Sequence, residues 1–367
     1  MSVLPGQRFC RWMLLATASA LLCGCAGVSY YWQSVSGHMR MVNAARPVRD
    51  LLSDAKTPEL LKQRLQLSQR IRSYAVTELK LPDNASYQRY ADLKRSAVVW
   101  NVVAAPEFSL TLKTFCFPVA GCVGYRGYFD EAEARIEAGK LKNDGLEVGV
   151  FGVPAYSTLG WMNWAGGDPL LNTFINYPEG ELARIIFHEL AHQVAYASGD
   201  TTFNESFAST VERLGSQSWL QTQAGDPARQ AYAALDSRRQ SFRVLALNTR
   251  RELDFIYQEK DPVADYSSTD IAIKSIAKQE AMRRFRERYV QLKTSWGGFS
   301  GYDIWVANAN NASFGAQAAY DELVPDFEAL YEREGRDWKR FYDEVKRLAK
   351  LPKDERHTAL KVGKPAP

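Results

Sequence analysis

In mid-chain the apolar residues change from a strand period to a helical one, and that change restricts what the chain can fold into. Between residues 96 and 151 they fall in short β-branched or aromatic runs, whereas after Glu179 they recur at helical spacing almost to the end. Strands first and helices after is the pattern of an α+β domain. The spacing predicts strands at 96–103, 108–115, 123–129 and 146–151, with a charged helix at 130–141. Further helices are expected over 205–218, 226–258, 268–293, 315–332 and 336–350. Residues 28–80 also read as helical, interrupted at Pro47 and Pro58. A chain that is 46% hydrophobic and 12% aromatic has ample material for one large core. The domain is expected over 26–350, followed by a polar, frayed tail at 351–367.

The first 25 residues have the parts of an export signal. Arg8 and Arg11 precede the short apolar stretch from Trp12 to Leu22, which ends at Leu22-Cys23-Gly24-Cys25. That ending resembles the lipobox of bacterial lipoproteins, and the resemblance implies cleavage before Cys25 and acylation of its thiol. Ala26 follows where inner-membrane retention would place Asp, so the resemblance implies the outer membrane, facing the periplasm. Removing Arg8 and Arg11 takes the formal charge from +4 to 4 − 2 = +2, which gives no electrostatic reason to expect nucleic acid. Cys10 and Cys23 leave with the signal. Cys116 and Cys122 remain, either as two buried thiols or as a small loop disulfide; an oxidising compartment favours the disulfide.

The chemistry concentrates in Phe187-His188-Glu189-Leu190-Ala191-His192-Gln193, which contains H-E-x-x-H within an amphipathic run from near Leu182 to Gly199. Four-residue spacing stacks His188 and His192 on one helix face, where two imidazoles can share a Zn²⁺ ion. Glu189 sits beside them, placed to activate the hydrolytic water instead of binding the metal. The plainer reading is two histidines on an ordinary helix. The chain has only four His, however, and His38 and His357, near its ends, read as surface residues.

A catalytic zinc site needs a third protein ligand and an open position. The next helix carries Asn204-Glu205-Ser206-Phe207-Ala208 and then Glu212. This pairing resembles the gluzincin zinc peptidases, above all the M1-type aminopeptidases, whose third ligand lies in Asn-Glu-Gly-Phe-Ala with a second Glu seven residues on. The resemblance implies that Glu205 ligates zinc and that Glu212 accepts a hydrogen bond from a ligand histidine. It covers 188–215 closely, with a shorter interval between His192 and Glu205 and without the Gly-Ala-Met-Glu-Asn strand of those enzymes. The same resemblance places an oxyanion-stabilising Tyr on a downstream helix, where Tyr320 lies; a Tyr that only fills helix space is the alternative, and Tyr125, Arg126 and Tyr128 are other candidates.

A wider likeness runs through Tyr30-Tyr31-Trp32-Gln33, Arg46-Pro47, the block from Phe117 to Phe129, and Ser157-Thr158-Leu159-Gly160-Trp161. By these the chain is similar to a family of bacterial envelope proteins known as predicted aminopeptidases. Together the resemblances imply a mainly helical, zincin-like metallopeptidase with a small antiparallel sheet before the zinc helix. It would hydrolyse peptide bonds of a peptide or protein substrate, first as an aminopeptidase and alternatively as an envelope endopeptidase. The 146–151 strand is placed to pair with substrate backbone, and the aromatic, glycine-rich segment 155–168 either lines the cleft or packs as a surface loop. A lipid-anchored assembly factor with a structural metal is the reading from another class; it would call for a closed set of four ligands and leave Glu189 without a use.

Overall fold

The computed structural model describes residues 29–117, 121–160, 163, 166–258 and 268–361. The export signal, Cys25 and Trp161 lie outside the described residues. The described residues fold as α+β, predominantly helical, with three small sheets among them.

A first helix, α1 (29–44), leads into β1 (Arg46–Pro47), α2 (Val48–Ser53) and α3 (Glu59–Thr77). The breaks fall at Pro47 and Pro58, each the residue just before a helix start, where a missing N–H costs nothing. The central sheet has the order β6-β3-β7, from β3 (Val99–Ala105), β6 (Arg126–Tyr128) and β7 (Glu147–Val153), all antiparallel. α4 (Glu131–Asn143), capped by the Asp130 side chain on the N–H groups of Ala132 and Glu133, covers one face through Ala134, Ala138 and Leu141. A second small sheet joins β1, β2 (Arg89–Ala91) and β8 (Leu170–Leu171); its β2–β8 pair is parallel, so the expectation of a wholly antiparallel sheet is corrected there.

Three further expectations are corrected. Of the strand expected at 108–115, residues 108–114 form none. Asn311 Nδ2 donates to the carbonyls of Pro106 and Glu107 at 3.0 and 2.7 Å, and Leu110 turns into a helical core. Only Phe115–Phe117 (β4) pairs, with β5 (Gly121–Val123). The helix expected at 315–332 is two helices, α10 (Asn311–Asp321) and α11 (Val324–Arg333), with Pro325 in the first turn of the second. The described part of the segment after Leu351, residues 352–361, is not frayed. It forms α13 (Lys353–Lys361), whose Arg356 and Leu360 are buried.

The remaining helices are α5 (Glu179–Ala191), α6 (Thr201–Thr222), α7 (Asp226–Gln258), α8 (Ser268–Ser295), α9 (Asp303–Ala307) and α12 (Trp338–Ala349). The largest core packs α3, α5, α6, α11, α12 and α13 around Ile71, Phe187, Phe203, Phe207, Phe327 and Phe341. A second core lies between α7, α8, α9 and α10. α10 packs on α6 and also on β3 and β7, so it bridges the helical half to the sheet. Among the described residues no helix is long and apolar enough to cross a membrane.

Candidate metal centre

α5 starts at Glu179, directly after Pro178, and ends at Ala191 with His192 as its C-cap, earlier than the expected Gly199. The reason lies in the next helix. Asn204 receives the Ala197 N–H on Oδ1 at 2.8 Å and donates Nδ2 to the Ala197 carbonyl at 2.9 Å, holding the connection out of helical form. Asp200 caps α6 by accepting from the Phe203 N–H at 3.2 Å. The two helices therefore meet through a short, fixed turn. Gly121 of the hairpin closed by the Cys116–Cys122 disulfide (S–S 1.96 Å) rests on that turn. A Cβ on Gly121 would lie 2.7 Å from the Gly199 nitrogen, and its φ of +75° favours glycine as well.

Within this frame three acceptor atoms converge. His188 Nε2 lies 3.2 Å from His192 Nε2 and 3.3 Å from Glu205 Oε2, and His192 Nε2 lies 3.7 Å from the same oxygen. Ligands at zinc–nitrogen lengths of ~2.0–2.1 Å in a tetrahedron stand about 3.3–3.4 Å apart, close to these separations. The other ring nitrogen of His188 lies 3.1 Å from Glu212 Oε2, close enough to hold the proton on Nδ1 although its alignment falls short of an ideal hydrogen bond. That leaves the Nε2 lone pair aimed at the other two acceptors. Three such acceptors facing one another favour a positive charge between them, and two imidazoles with one carboxylate are a donor set that could hold a metal ion and would suit zinc.

The electrostatics agree. Burial alone would lower the His188 pKa, but Glu205 and Glu212 override it and raise it, so a positive charge is favoured there. Burial pushes His192 down to about 4, keeping it neutral. Burial also works to raise Glu205 and Glu212. His192 and His188 nevertheless hold Glu205 below its ordinary value, and Arg184 with His188 holds Glu212 at about 2. Glu189 is pushed up to about 7, chiefly by burial, with the charges of Glu205 and Asp168 adding to it; a bound dication would lower it again.

Of the aromatic candidates, Tyr320 on α10 lies beside the cluster, its ring 6.4 Å from that of His188 and inclined at 27°. It keeps about a third of its surface exposed at 37%. Its pKa is raised, first by the Glu205 charge and then by burial. Tyr125 also feels Glu205 and Glu189. Arg126 and Tyr128 are not in the site. Strand alternation turns them to the other side, where Arg126 pairs with Glu137 at 3.1 Å and lies over the Tyr30 ring at 4.1 Å, and Tyr128 joins the α4 core. His357 is held at 2.8 Å by the buried Asp200, away from the three converging ligands. His38 is half-buried near Tyr156.

Sequence reasoning missed the supports around this cluster. Arg184, half-buried one turn before His188, bonds both Glu212 and Glu181 (2.9 Å to the latter), and Glu181 is also bonded by Arg239. Gln193, directly after His192, donates to Ser86 Oγ at 3.1 Å and Asp168 Oδ2 at 3.3 Å and accepts from Asn84 at 2.7 Å. Asp168 receives the Thr158 N–H at 3.1 Å, so the described part of 155–168 is tied to the end of α5. The signal for Arg184 was its position on the helix face of His188; for Asn204 it was the residue directly before Glu205.

No curated protein and no solved structure matches the chain. A family model described as "Putative aminopeptidase" does match, over residues 29–360, nearly all of the chain outside its first residues. That span takes in H-E-x-x-H, Glu205, the disulfide hairpin, Tyr320 and most of α13, and by it the chain belongs to this aminopeptidase family.

Proposed function

We propose that this protein is a zinc-dependent peptidase of gluzincin type, with a zincin-like fold, acting as an aminopeptidase in the bacterial cell envelope. The observation that carries the reading is the convergence of His188 Nε2, His192 Nε2 and Glu205 Oε2 at ligand spacing, with Glu189 next to it on the same helix. These three residues would hold the metal. When bound, zinc supplies Lewis acidity to the peptide carbonyl and the hydrolytic water.

The chain's own groups do the rest. Glu189 takes the proton of the attacking water and passes it to the leaving amine. Glu212 fixes the His188 tautomer, and Arg184 keeps Glu212 charged. Tyr320, half-open beside His188, donates its hydroxyl to the developing oxyanion. β7 is an edge strand, and the Val148 carbonyl on its outer side accepts from Asn310 at 3.0 Å. By alternation Val150 and Gly152 present their main-chain groups on that same side, where an extended substrate can pair. An acyl-bearing Cys25 holds the enzyme at the outer membrane, facing the periplasm.

The test is digestion of a peptide library by the mature chain, with metal analysis on the same samples. Glu189→Gln is expected to keep its zinc and lose turnover by three or more orders of magnitude, on the order seen when a catalytic base or triad member is removed. Full activity in that variant would refute the peptidase reading. Release of single N-terminal residues distinguishes an aminopeptidase from an endopeptidase.

A further inference from the structure

The first helix has three faces of different character. Gln33, Gly37 and Met41 are buried: Gln33 Oε1 accepts the Phe129 N–H at 3.0 Å, and Gly37 is pressed so closely on the Phe129 ring that any side chain would collide with it. Ser36, Arg40 and Asn43 form a polar strip. Between these faces Tyr31, Trp32, Val35 and Met39 all stand exposed, Trp32 at 72%. At roughly 100° per residue the four side chains fall within about 100° of one another. Apolar side chains scattered singly over a surface need no explanation, but four along one stripe do.

What covers the stripe follows from where the helix begins. Only Ala26, Gly27 and Val28 separate it from Cys25, at most about 14 Å of extended chain. Once the signal is removed, those three residues are too few to cover the stripe themselves. They are also too few to let it leave the surface in which an acylated Cys25 would sit. Trp and Tyr with aliphatic neighbours, bordered by an Arg, are the side chains that settle at the headgroup level of a bilayer, each ring apolar in body and polar at one edge.

We propose that the Tyr31-Trp32-Val35-Met39 face of α1 docks on the lipid surface as a second, non-covalent attachment beside the acyl chains, fixing the orientation of the domain on the membrane. The proposal rests on the anchored reading of Cys25 and is independent of the peptidase chemistry. Acyl groups on a single residue fix a point of attachment and leave the orientation of the domain open. The added apolar contact fixes that orientation, because α1 is bound firmly to β6 and to Phe129 just after it through Tyr30, Gln33 and Gly37.

The test uses the chain from residue 26 onward, which keeps every described residue and carries no lipid, mixed with vesicles of phosphatidylethanolamine and phosphatidylglycerol. Co-sedimentation with the vesicles is expected. Trp32→Ser should weaken it about tenfold, and Val35→Ser or Met39→Ser should weaken it by less, with circular dichroism and peptide turnover unchanged in all three. Absence of vesicle binding in the parent chain, or equal binding by parent and Trp32→Ser, overturns the proposal. A concentration-dependent dimer without vesicles that Trp32→Ser abolishes would assign the face to a second copy of the chain and also overturn it. Acyl labelling of full-length protein and of Cys25→Ser tests the anchor separately, so a failure of either reading is recognisable by itself.

Discussion

The helix pair α5–α6 and the helix pair α7–α8 are built from similar helix-forming residues, yet they use their polar groups in opposite ways. On α6, Asn204, Glu205, Ser206, Ser209, Thr210, Glu212 and Ser216 are all buried. Each of the charged ones is bound to a partner on α5, and the chain Arg184–Glu212–His188–Glu205 runs through the contact. On the longer α7–α8 pair, apart from buried Lys274, which donates to the Tyr257 carbonyl at 2.9 Å, charged residues meet at the surface, as Arg283 does with Glu280 and Glu287, while Phe242, Leu253, Phe285 and Tyr289 fill the seam. A buried charge is stable only while its partner is present, whereas a solvated one has water as a substitute. The first pair is thus committed to a single arrangement and the second is tolerant.

The comparison breaks if substitutions on the two pairs cost the same. The largest effect is expected from Glu205→Ala, which should be isolated free of metal and inactive; zinc retained at full occupancy, measured by elemental analysis, would remove Glu205 from the ligand set. Asp200→Ala comes next. It strips the cap from α6 and leaves Arg356 buried without its carboxylate, at a cost of roughly 3–5 kcal/mol in chemical denaturation. A loss below 1 kcal/mol would show that the pairing is dispensable.

Asp168 supplies a pH-dependent effect of about 3 kcal/mol. Burial raises its carboxyl to about 6 against the hydrogen bonds from Thr158 and Ser157. The folded state therefore holds a proton that the unfolded chain gives up at lower pH. This contribution to stability is complete below the ordinary carboxyl range and is lost as pH rises through about 6. Asp168→Asn should flatten the decline in unfolding free energy between pH 4.5 and pH 8, and an unchanged slope would exclude Asp168 as its source. Glu212→Ala should keep zinc but weaken its affinity about 10–100-fold, as read by competition with a chelator. At the small end, Arg283→Ala on α8 should leave the denaturation midpoint unmoved, because its partners lie in solvent. A clear destabilisation there would end the contrast between the two pairs.

The legible parts of the molecule were those written in local pattern. The start of α7 at Asp226 and its course up to Gln258 were legible because its apolar stripe is regular over many turns. His188, Glu189 and His192 were legible because one helix fixes their spacing. The disulfide hairpin was legible because Pro118 and Gly121 lie between the two cysteines. What escaped depends on long-range partners. The segment 108–115 has strand composition, but Asn311, far along the chain, takes the carbonyls before it. The two-residue strands β1 and β8 exist only through β2. Arg184, Gln193 and Asp168 have no motif of their own; they matter through contacts with Glu212, Ser86 and Thr158 that no local window contains. The 351–361 segment looked like a tail because its polar residues hide that Arg356 and Leu360 face inward.

The clamp between Asp200 and Arg356 also bears on the order in which the protein becomes complete. The two residues stand 156 positions apart, and Arg356 further fastens the carbonyls of Leu348, Ala349 and Leu351 and lies over the Phe203 ring. A chain synthesised or exported from its N-terminus presents α5 and α6 long before Arg356 arrives. During that interval the acid that begins the Glu205 helix lacks its buried counter-ion, and closing so long a loop is slow compared with forming either helix. On the proposed reading, the helix that carries Glu205 gains its full support only with the finished chain, which ties hydrolytic competence to the arrival of its last helices.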